Sequence, residues 1–227
     1  MTTSSGKLRL SPSSLNVFLD CPRCFWLEYR AERPRPRGPF PSLPSGMDIV
    51  IKKYFDRYRA VGKLPPEIDG QVKGKLFADS EILNRWRGWK GGLSFYEKSL
   101  DAVMVGALDD CIVNEDGYIP VDYKTRGFEL KEGGEGFYKN QLNCYSLLLE
   151  ENNLPQPGYA YLIYFIPKEL QPGGQVNFTV EVKEVKTSAD DARKAFRDAV
   201  KTIERDIPDI GSACQFCAWQ NRALQTA

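Results

Sequence analysis

The chain has no histidine among its 227 residues. This absence excludes Ser-His-Asp and Cys-His nucleophile pairs, the HExxH zinc proteases and any histidine general base. Acid–base and metal chemistry must therefore fall to carboxylates, lysine, tyrosine or cysteine. With 42% hydrophobic and 27% charged residues, the composition is that of an ordinary globular protein.

Long apolar runs are also lacking. No run approaches the roughly 20 residues that a membrane helix needs, and the first ten residues lack the apolar core of a secretory signal. We therefore expect a cytoplasmic protein with no membrane partner, in a compartment where disulfides are rare. The six cysteines then need another explanation.

The small net charge of +1 hides an uneven distribution along the chain. Residues 1–90 contain 17 Lys and Arg against 9 Asp and Glu, whereas residues 91–227 contain 14 against 21. This asymmetry suggests a polyanionic partner for the basic half, and the alternative is chance clustering on a solvated surface. The residues that would then contact phosphates are Arg23, Arg30, Arg33, Arg35, Arg37, Lys52, Lys53, Arg57 and Arg59.

Residue patterns predict helices, then a strand hairpin, a helix, two strands and a final helix. Helices are expected from the cap at 11–14 to residue 21 and at 46–60, 79–90, 137–151 and 188–205, strands at 103–113, 118–123, 159–166 and 175–185, and an extended proline-rich segment at 33–44. This order predicts an α/β fold with a mixed sheet flanked by helices. We expect a single domain over 1–227, with a basic helical part (11–90), a central sheet with its helix (91–187) and a C-terminal helix with a cysteine tail (188–227).

The most informative stretch is GALDDCIVNEDGYIPVDYKT, residues 106–125, in which residues 114–117 give a strong hairpin signal. If Val113 pairs with Tyr118, Asp109 lies opposite Asp122, and with a tighter turn Asp109 faces Lys124 instead. Because side chains alternate between the faces of a sheet, both registers place Asp109, Asp122 and Lys124 on one face. Asp110 and Tyr123 then point the other way.

Two carboxylates this close repel each other unless a cation lies between them. Oxygen ligands of this kind suit Mg²⁺ or Mn²⁺, with the backbone carbonyl of Tyr123 as a further ligand. A neighbouring lysine can orient the water that a metal activates, or neutralise a phosphate. The alternative is a surface hairpin with an ordinary salt bridge.

Three motifs stand in order along the chain: Gly106-Ala107-Leu108-Asp109, then Val121-Asp122-Tyr123-Lys124, then a helix carrying Gln141 and Tyr145. This arrangement resembles the RecB-like group of the PD-(D/E)XK nucleases and implies their restriction-endonuclease-like core. By that resemblance Asp109 and Asp122 are metal ligands and Lys124 is the catalytic lysine. Gln141 and Tyr145 would support the site or contact the nucleic-acid strand.

The sequence departs from that family at one position. Many RecB-like nucleases carry a histidine on the helix before the sheet as a further metal ligand, and this chain has none. Asp48 or Asp56 on the predicted helix could take its place, and Glu97 is another candidate. The sequence does not select among them.

The cysteines form two CxxC pairs, Cys21 with Cys24 and Cys214 with Cys217, near opposite ends of the chain. Four such ligands suit Zn²⁺ or an iron–sulfur cluster, and they can meet only if the fold brings the two pairs together as a clasp. Cys111 and Cys144 are expected to be buried apolar fillers.

The resemblance extends to these cysteines. Nucleases of the AddB-like and CRISPR-associated RecB-like kinds carry a 4Fe-4S cluster held by one N-terminal and three C-terminal cysteines. Cys21, Cys214 and Cys217 match that pattern, whereas the third C-terminal cysteine is absent and Cys24 completes the count. This two-plus-two arrangement leaves Zn²⁺ as the alternative.

The leading hypothesis is a Mg²⁺- or Mn²⁺-dependent DNA nuclease that acts on ends or single strands. Repair, recombination and CRISPR-type defence are the candidate pathways, and a helicase or a CRISPR adaptation protein is a candidate partner by analogy. The alternatives are a nucleic-acid-binding protein that has lost catalysis and an interaction module stapled by zinc.

Overall fold

The computed structural model describes residues 7–88, 92–131 and 133–225. The helices are α1 (Pro12–Asp20), α2 (Pro22–Arg30), α3 (Ser42–Ala60), α4 (Ser80–Arg87), α5 (Lys139–Glu151), α6 (Ala189–Ile203) and α7 (Gln215–Gln225). The strands are β1 (Leu8–Leu10), β2 (Lys75–Leu76), β3 (Leu93–Glu97), β4 (Ala102–Gly106), β5 (Asp110–Asn114), β6 (Gly117–Thr125), β7 (Tyr159–Gln171) and β8 (Gln175–Lys186). Within these ranges, none of the helices is long and apolar enough to span a membrane.

The strands form two sheets. The smaller sheet has the order β1-β4-β3, and the larger has the order β2-β5-β6-β7-β8. Strand β6 runs parallel to β7, whereas the other neighbours in the larger sheet are antiparallel. The predicted α/β fold with a mixed sheet flanked by helices is confirmed, and the four cysteines of the two CxxC pairs lie together.

The larger sheet is covered on both faces, which explains the unbroken apolar run of β7. Tyr161, Ile163 and Phe165 face one cluster, to which α3 contributes Ile51 and Phe55. The alternate residues Ala160, Leu162, Tyr164 and Ile166 belong to the other cluster, which α5 and α6 complete. Strand β6 is therefore held in the middle of the sheet, between α3 and α5.

The prediction of one continuous strand over 103–113 is wrong. Strand β4 ends at Gly106 in the smaller sheet and β5 begins at Asp110 in the larger one. A Cβ at Gly106 would lie 2.5 Å from Leu148 Cδ1, so glycine allows α5 to pack closely at the point where the chain leaves the first sheet. Asp109 consequently lies just outside the strand, at the end of the larger sheet.

The N-terminal half differs from the prediction in its helices. Helix α2 follows α1 directly, with Cys21 as the residue that ends one helix and caps the next. Helix α3 begins at Ser42, inside the segment expected to be extended, because Pro44 is tolerated in a first turn. Helix α4 ends at Arg87, and residues 89 and 90 of the predicted helix lie outside the described residues.

Gly117 closes the β5–β6 turn at a φ of 130°, and a Cβ there would lie 2.2 Å from the carbonyl oxygen of Pro155. We expect Gly117→Ala to lower the free energy of unfolding by about 2 kcal/mol or more, because both the backbone angle and the contact resist a side chain. Urea denaturation measures this change. Gly136→Ala is the control, since a Cβ at Gly136 would meet no described atom within 4 Å, and equal effects of the two variants would contradict the explanation.

Candidate functional site

The β5–β6 hairpin adopts the first of the two predicted registers. Val113 pairs with Tyr118 and Asp110 with Val121, so Asp109 comes opposite Asp122. The backbone N–H of Tyr123 donates to Asp109 Oδ2 at 3.1 Å, which fixes this carboxylate just before the start of β5. The sequence left two registers open, and in the structure Asn114 pairs with Gly117, so that Glu115 and Asp116 form the turn.

The side chains of Asp122, Lys124, Gln141 and Tyr145 form one connected group. The amide Nε2 of Gln141 donates to Asp122 Oδ1 at 2.9 Å and to the Tyr145 hydroxyl at 2.7 Å. Lys124 Nζ donates to Gln141 Oε1 at 3.2 Å and forms an ion pair with Asp122. Because Gln141 and Tyr145 are one helical turn apart on α5, the helix presents both to β6.

Asp122 is a buried carboxylate that is short of positive charge. It is 1% exposed, and its burial, followed by the negative charge of Asp109, raises the pKa of Asp122 to about 7 despite the attraction of Lys124. Among the described residues, none donates a well-formed hydrogen bond to Asp122 Oδ2, although the Lys124 ammonium contacts it. The oxygen-rich donor set of Asp109 and Asp122, with the Tyr123 carbonyl between Asp122 and Lys124 in sequence, fits a divalent cation such as Mg²⁺ or Mn²⁺.

A second lysine reaches the same site from α3. Lys52 Nζ lies 2.7 Å from Asp109 Oδ1 and 2.8 Å from Asp48 Oδ2. Burial lowers the pKa of Lys52, but the attraction of Asp109 and Asp48 outweighs this effect and raises it. The sequence had indicated Lys52 only as one basic residue among several, and the i,i+4 spacing of Asp48 and Lys52 was the available signal.

The opposite face of the hairpin carries a separate charge network, as the alternation predicted. Asp110 is fully buried and accepts from Arg59 Nη2 at 2.6 and 2.7 Å, from Arg87 Nη2 at 3.1 Å and from the Tyr123 hydroxyl at 2.7 Å. Arg59 follows Ile51 and Phe55 on the buried face of α3. The expectation that Arg59 contacts phosphate is therefore wrong, because its guanidinium is buried and bonded to Asp110.

The structure separates the three acids proposed to replace the missing histidine. Asp48 is connected to the site because it forms an ion pair with Lys52, which also pairs with Asp109. Both carboxylate oxygens of Asp56 form ion pairs, Oδ1 with Arg59 and Oδ2 with Arg87. Glu97 lies on β3, where it accepts from Arg197 of α6 and from Ser99.

The four cysteines of the CxxC pairs form a second candidate metal site. All are buried, and their sulfur atoms lie within 4.8 Å of one another. The Sγ–Sγ distances are 3.7 Å for Cys21–Cys217, 3.6 Å for Cys24–Cys214 and 3.8 Å for Cys24–Cys217. The clasp thus joins the start of α2 to the start of α7.

These distances can be compared with the sulfur spacing around each kind of metal group. A tetrahedral ion with Zn–S bonds of about 2.3 Å has sulfur–sulfur edges of about 3.8 Å. A four-iron cluster places a core of iron and sulfide between its thiolates, which must then lie much farther apart. The observed distances of 3.6–3.8 Å are close to the edges of such a single-ion site. Cys111 and Cys144 lie apart from this group, fully buried in the core as expected.

A cleft adjoins the Gln141–Tyr145 side of the first site. Its volume is about 390 Å³, and it is lined by the start of α1, the end of β4 and α5. Its lining residues include Ser11, Ser13, Asn16, Gly106, Gln141 and Tyr145. A cavity of this size is in the range of small-molecule sites, about 300–1,000 Å³, and is far smaller than a nucleic-acid duplex.

Comparisons with known proteins identify the family of this arrangement. Residues 75–222 match the PD-(D/E)XK nuclease superfamily. A comparison with curated proteins finds no matching sequence. Among solved structures, the one described as "Crystal structure of SSO0001" is similar at 14% identity and a TM-score of 0.38, over 94% of this chain and 84% of the other. A likeness of that size carries no functional weight.

The buried network at Asp110 generates a stability prediction. Arg59→Met leaves a fully buried carboxylate short of a cation, so we expect the free energy of unfolding to fall by about 3 kcal/mol. Arg57→Met, on the exposed side of the same helix, is the control and should change it by less than about 0.5 kcal/mol. Chemical denaturation of both variants measures the difference. Equal stability of the two would show that Arg87 alone satisfies Asp110.

Proposed function

The chain belongs to the PD-(D/E)XK nuclease superfamily, and from this premise we propose that it is a Mg²⁺- or Mn²⁺-dependent DNA nuclease whose site is formed by Asp109, Asp122 and Lys124. The observation that carries the proposal is the convergence of two carboxylates and a lysine where β5 begins and β6 ends. Gln141 is hydrogen-bonded to two of these three side chains, Asp122 and Lys124. Nucleases of this superfamily act on phosphodiester bonds, and DNA as the substrate rests on the resemblance to the RecB-like group.

Each side chain has a proposed role. When bound at Asp109 and Asp122, a divalent cation supplies an activated water and stabilises the charge that develops on the phosphate. Lys124 carries its positive charge beside that position and is restrained by Gln141 and by the ring of Tyr138, 4.5 Å from its ammonium. Gln141 holds the Asp122 carboxylate in orientation, and Tyr145 holds Gln141. Because the Lys124 ammonium and the Asp122 carboxylate are already held in place, these side chains have to rearrange less as the reaction proceeds.

The cleft beside Gln141 and Tyr145 supports action on ends or single strands. We propose that it receives one nucleotide next to the scissile phosphate, because it is too small for a duplex. Exposed basic residues of the N-terminal half would then contact the backbone of the strand. These residues are Arg30, Arg33, Arg37, Lys53 and Arg57.

The biological setting rests on the resemblance alone. The AddB-like and CRISPR-associated groups suggest repair, recombination or CRISPR-type defence, with a helicase or a CRISPR adaptation protein as the partner. Loss of catalysis with retained DNA binding is the competing function, and the missing histidine is the observation that favours it.

We expect Asp122→Ala and Lys124→Ala to lower the rate of DNA cleavage by about 100-fold or more, because the first removes a proposed metal ligand and the second removes the positive charge proposed to lie beside the reacting phosphate. Labelled single-stranded, nicked and duplex DNA, incubated with Mg²⁺ or Mn²⁺, measure the rate. Asp116→Ala in the hairpin turn and Lys183→Ala on β8 are matched controls that should retain activity.

The outcomes separate the hypotheses. Undiminished cleavage by folded Asp122→Ala or Lys124→Ala protein would refute the assigned site. Salt-sensitive DNA binding without cleavage under either metal would favour the binding protein instead.

We further propose that the four clustered cysteines hold a single Zn²⁺ ion with a structural role. The sulfur spacing supports zinc over the 4Fe-4S cluster that the resemblance implies. Binding such an ion contributes directly to folding stability, because the unfolded chain has no preformed site.

Metal analysis after anaerobic purification, from cells supplied with iron and zinc, tests this proposal. We expect a colourless protein with stoichiometric zinc, and Cys24→Ser should lose the zinc and melt at a lower temperature. Cys144→Ala, which removes a buried thiol outside the clasp, is the control and should retain zinc. A brown protein with iron and acid-labile sulfide would establish the cluster instead.

A further inference from the structure

The ammonium of Lys52 lies between two carboxylates at the candidate metal centre. Its distances to Asp48 Oδ2 and Asp109 Oδ1 are 2.8 and 2.7 Å. The lysine side chain is 21% exposed and Asp109 19% exposed, so the three groups meet in a partly enclosed position. The ammonium of Lys52 is thus shared by a carboxylate of helix α3 and a carboxylate of the hairpin, which are distant in sequence.

We propose that Asp48 is a third carboxylate ligand of the divalent cation, and that Lys52 occupies the cation's place until the metal displaces it. This inference rests on the proposed function, because it requires a metal site at Asp109 and Asp122. It adds a ligand on α3 and a lysine that competes with the metal.

The geometry around Asp109 favours this arrangement. Its Oδ2 is held by the Tyr123 N–H, so Oδ1 is the oxygen that faces the shared position. Mg²⁺–oxygen distances are about 2.0–2.1 Å, and each carboxylate would therefore move inward by less than about 1 Å to replace the ammonium with a metal ion. Asp48 lies on an exposed part of α3, with a side chain 38% exposed, and has room to make this movement.

The balance of charge gives a second reason. With Asp122 ionised, Asp48, Asp109 and Asp122 carry three negative charges, whereas Lys52 and Lys124 carry two positive ones. Exchange of Lys52 for a divalent cation neutralises all three carboxylates while Lys124 keeps its place beside Asp122. Lys52 leaves with its proton and is then free to contact a phosphate.

Asp56, the other acid on α3 near the hairpin, is not available for this role. Its Oδ1 accepts from Arg59 Nε at 3.3 Å and its Oδ2 from Arg87 Nη1 at 2.8 Å. Those arginines also bind the buried Asp110. Removing Asp56 from this network would leave the two arginines with less negative charge, so the structure selects Asp48.

Calorimetric titration with Mn²⁺, without nucleic acid, tests the proposal independently of activity. We expect Asp48→Asn to weaken Mn²⁺ binding by about 10-fold or more and Asp48→Glu to restore most of the loss. Lys52→Met should strengthen binding several-fold by removing the competitor. Asp116→Asn and Lys53→Met are the controls for the same changes of charge, and thermal melting confirms that each variant is folded.

The double variant separates a ligand from a mere partner of Lys52. If Asp48 binds the metal, Asp48→Asn also weakens binding in the Lys52→Met background. An unchanged Mn²⁺ affinity in that background would overturn the inference, as would equal effects of Lys52→Met and Lys53→Met.

Asp109→Asn and Asp122→Asn distinguish this inference from the proposed function. If either retains the wild-type Mn²⁺ affinity, the proposed metal site itself is refuted. If both lose binding while Asp48→Asn retains it, only the assignment of Asp48 fails.

Discussion

The larger sheet carries charged side chains on both of its buried faces. Strand β6 places two of them on one face and β5 places a carboxylate on the opposite face, and the surrounding helices supply the groups that compensate these charges. Asp122 and Lys124 face α5, whereas Asp110 of β5 lies on the opposite face with the Tyr123 hydroxyl. A buried carboxylate without a cation costs several kcal/mol. Each surrounding helix therefore supplies a polar group: α3 gives Arg59, α4 gives Arg87 and α5 gives Gln141.

Helix α3 connects the two charge systems. Ile51, Phe55 and Arg59 lie on the face that packs on the sheet, and Arg59 holds Asp110 there. Lys52, on a neighbouring row of the same helix, reaches Asp109 at the end of the sheet. The apolar packing and the buried ion pair thus fix the height and rotation of the helix, and these in turn determine how its polar side chains approach the carboxylates.

Local patterns in the sequence were sufficient to predict the hairpin. The turn at residues 114–117 and strict alternation predicted a shared face for Asp109, Asp122 and Lys124 in either register. The catalytic roles of these residues stay a prediction. The break between β4 and β5 was missed, because apolar periodicity continues across it and only the packing of Leu148 against Gly106 distinguishes two strands from one. The burial of Arg59 and the contact of Lys52 with Asp109 depend on pairing between distant segments, which composition and spacing do not encode.

The clasp of cysteines has a consequence for the order in which the protein is made. Cys24 and Cys214 are 190 residues apart, yet their sulfur atoms lie 3.6 Å from each other. During synthesis the first pair leaves the ribosome long before the second exists, so the four-cysteine cluster forms only after the sheet and α6 have been translated. A metal held by all four cysteines, as proposed above, would therefore be bound late in biogenesis, and a chain interrupted before Cys214 contains only two of the four cysteines.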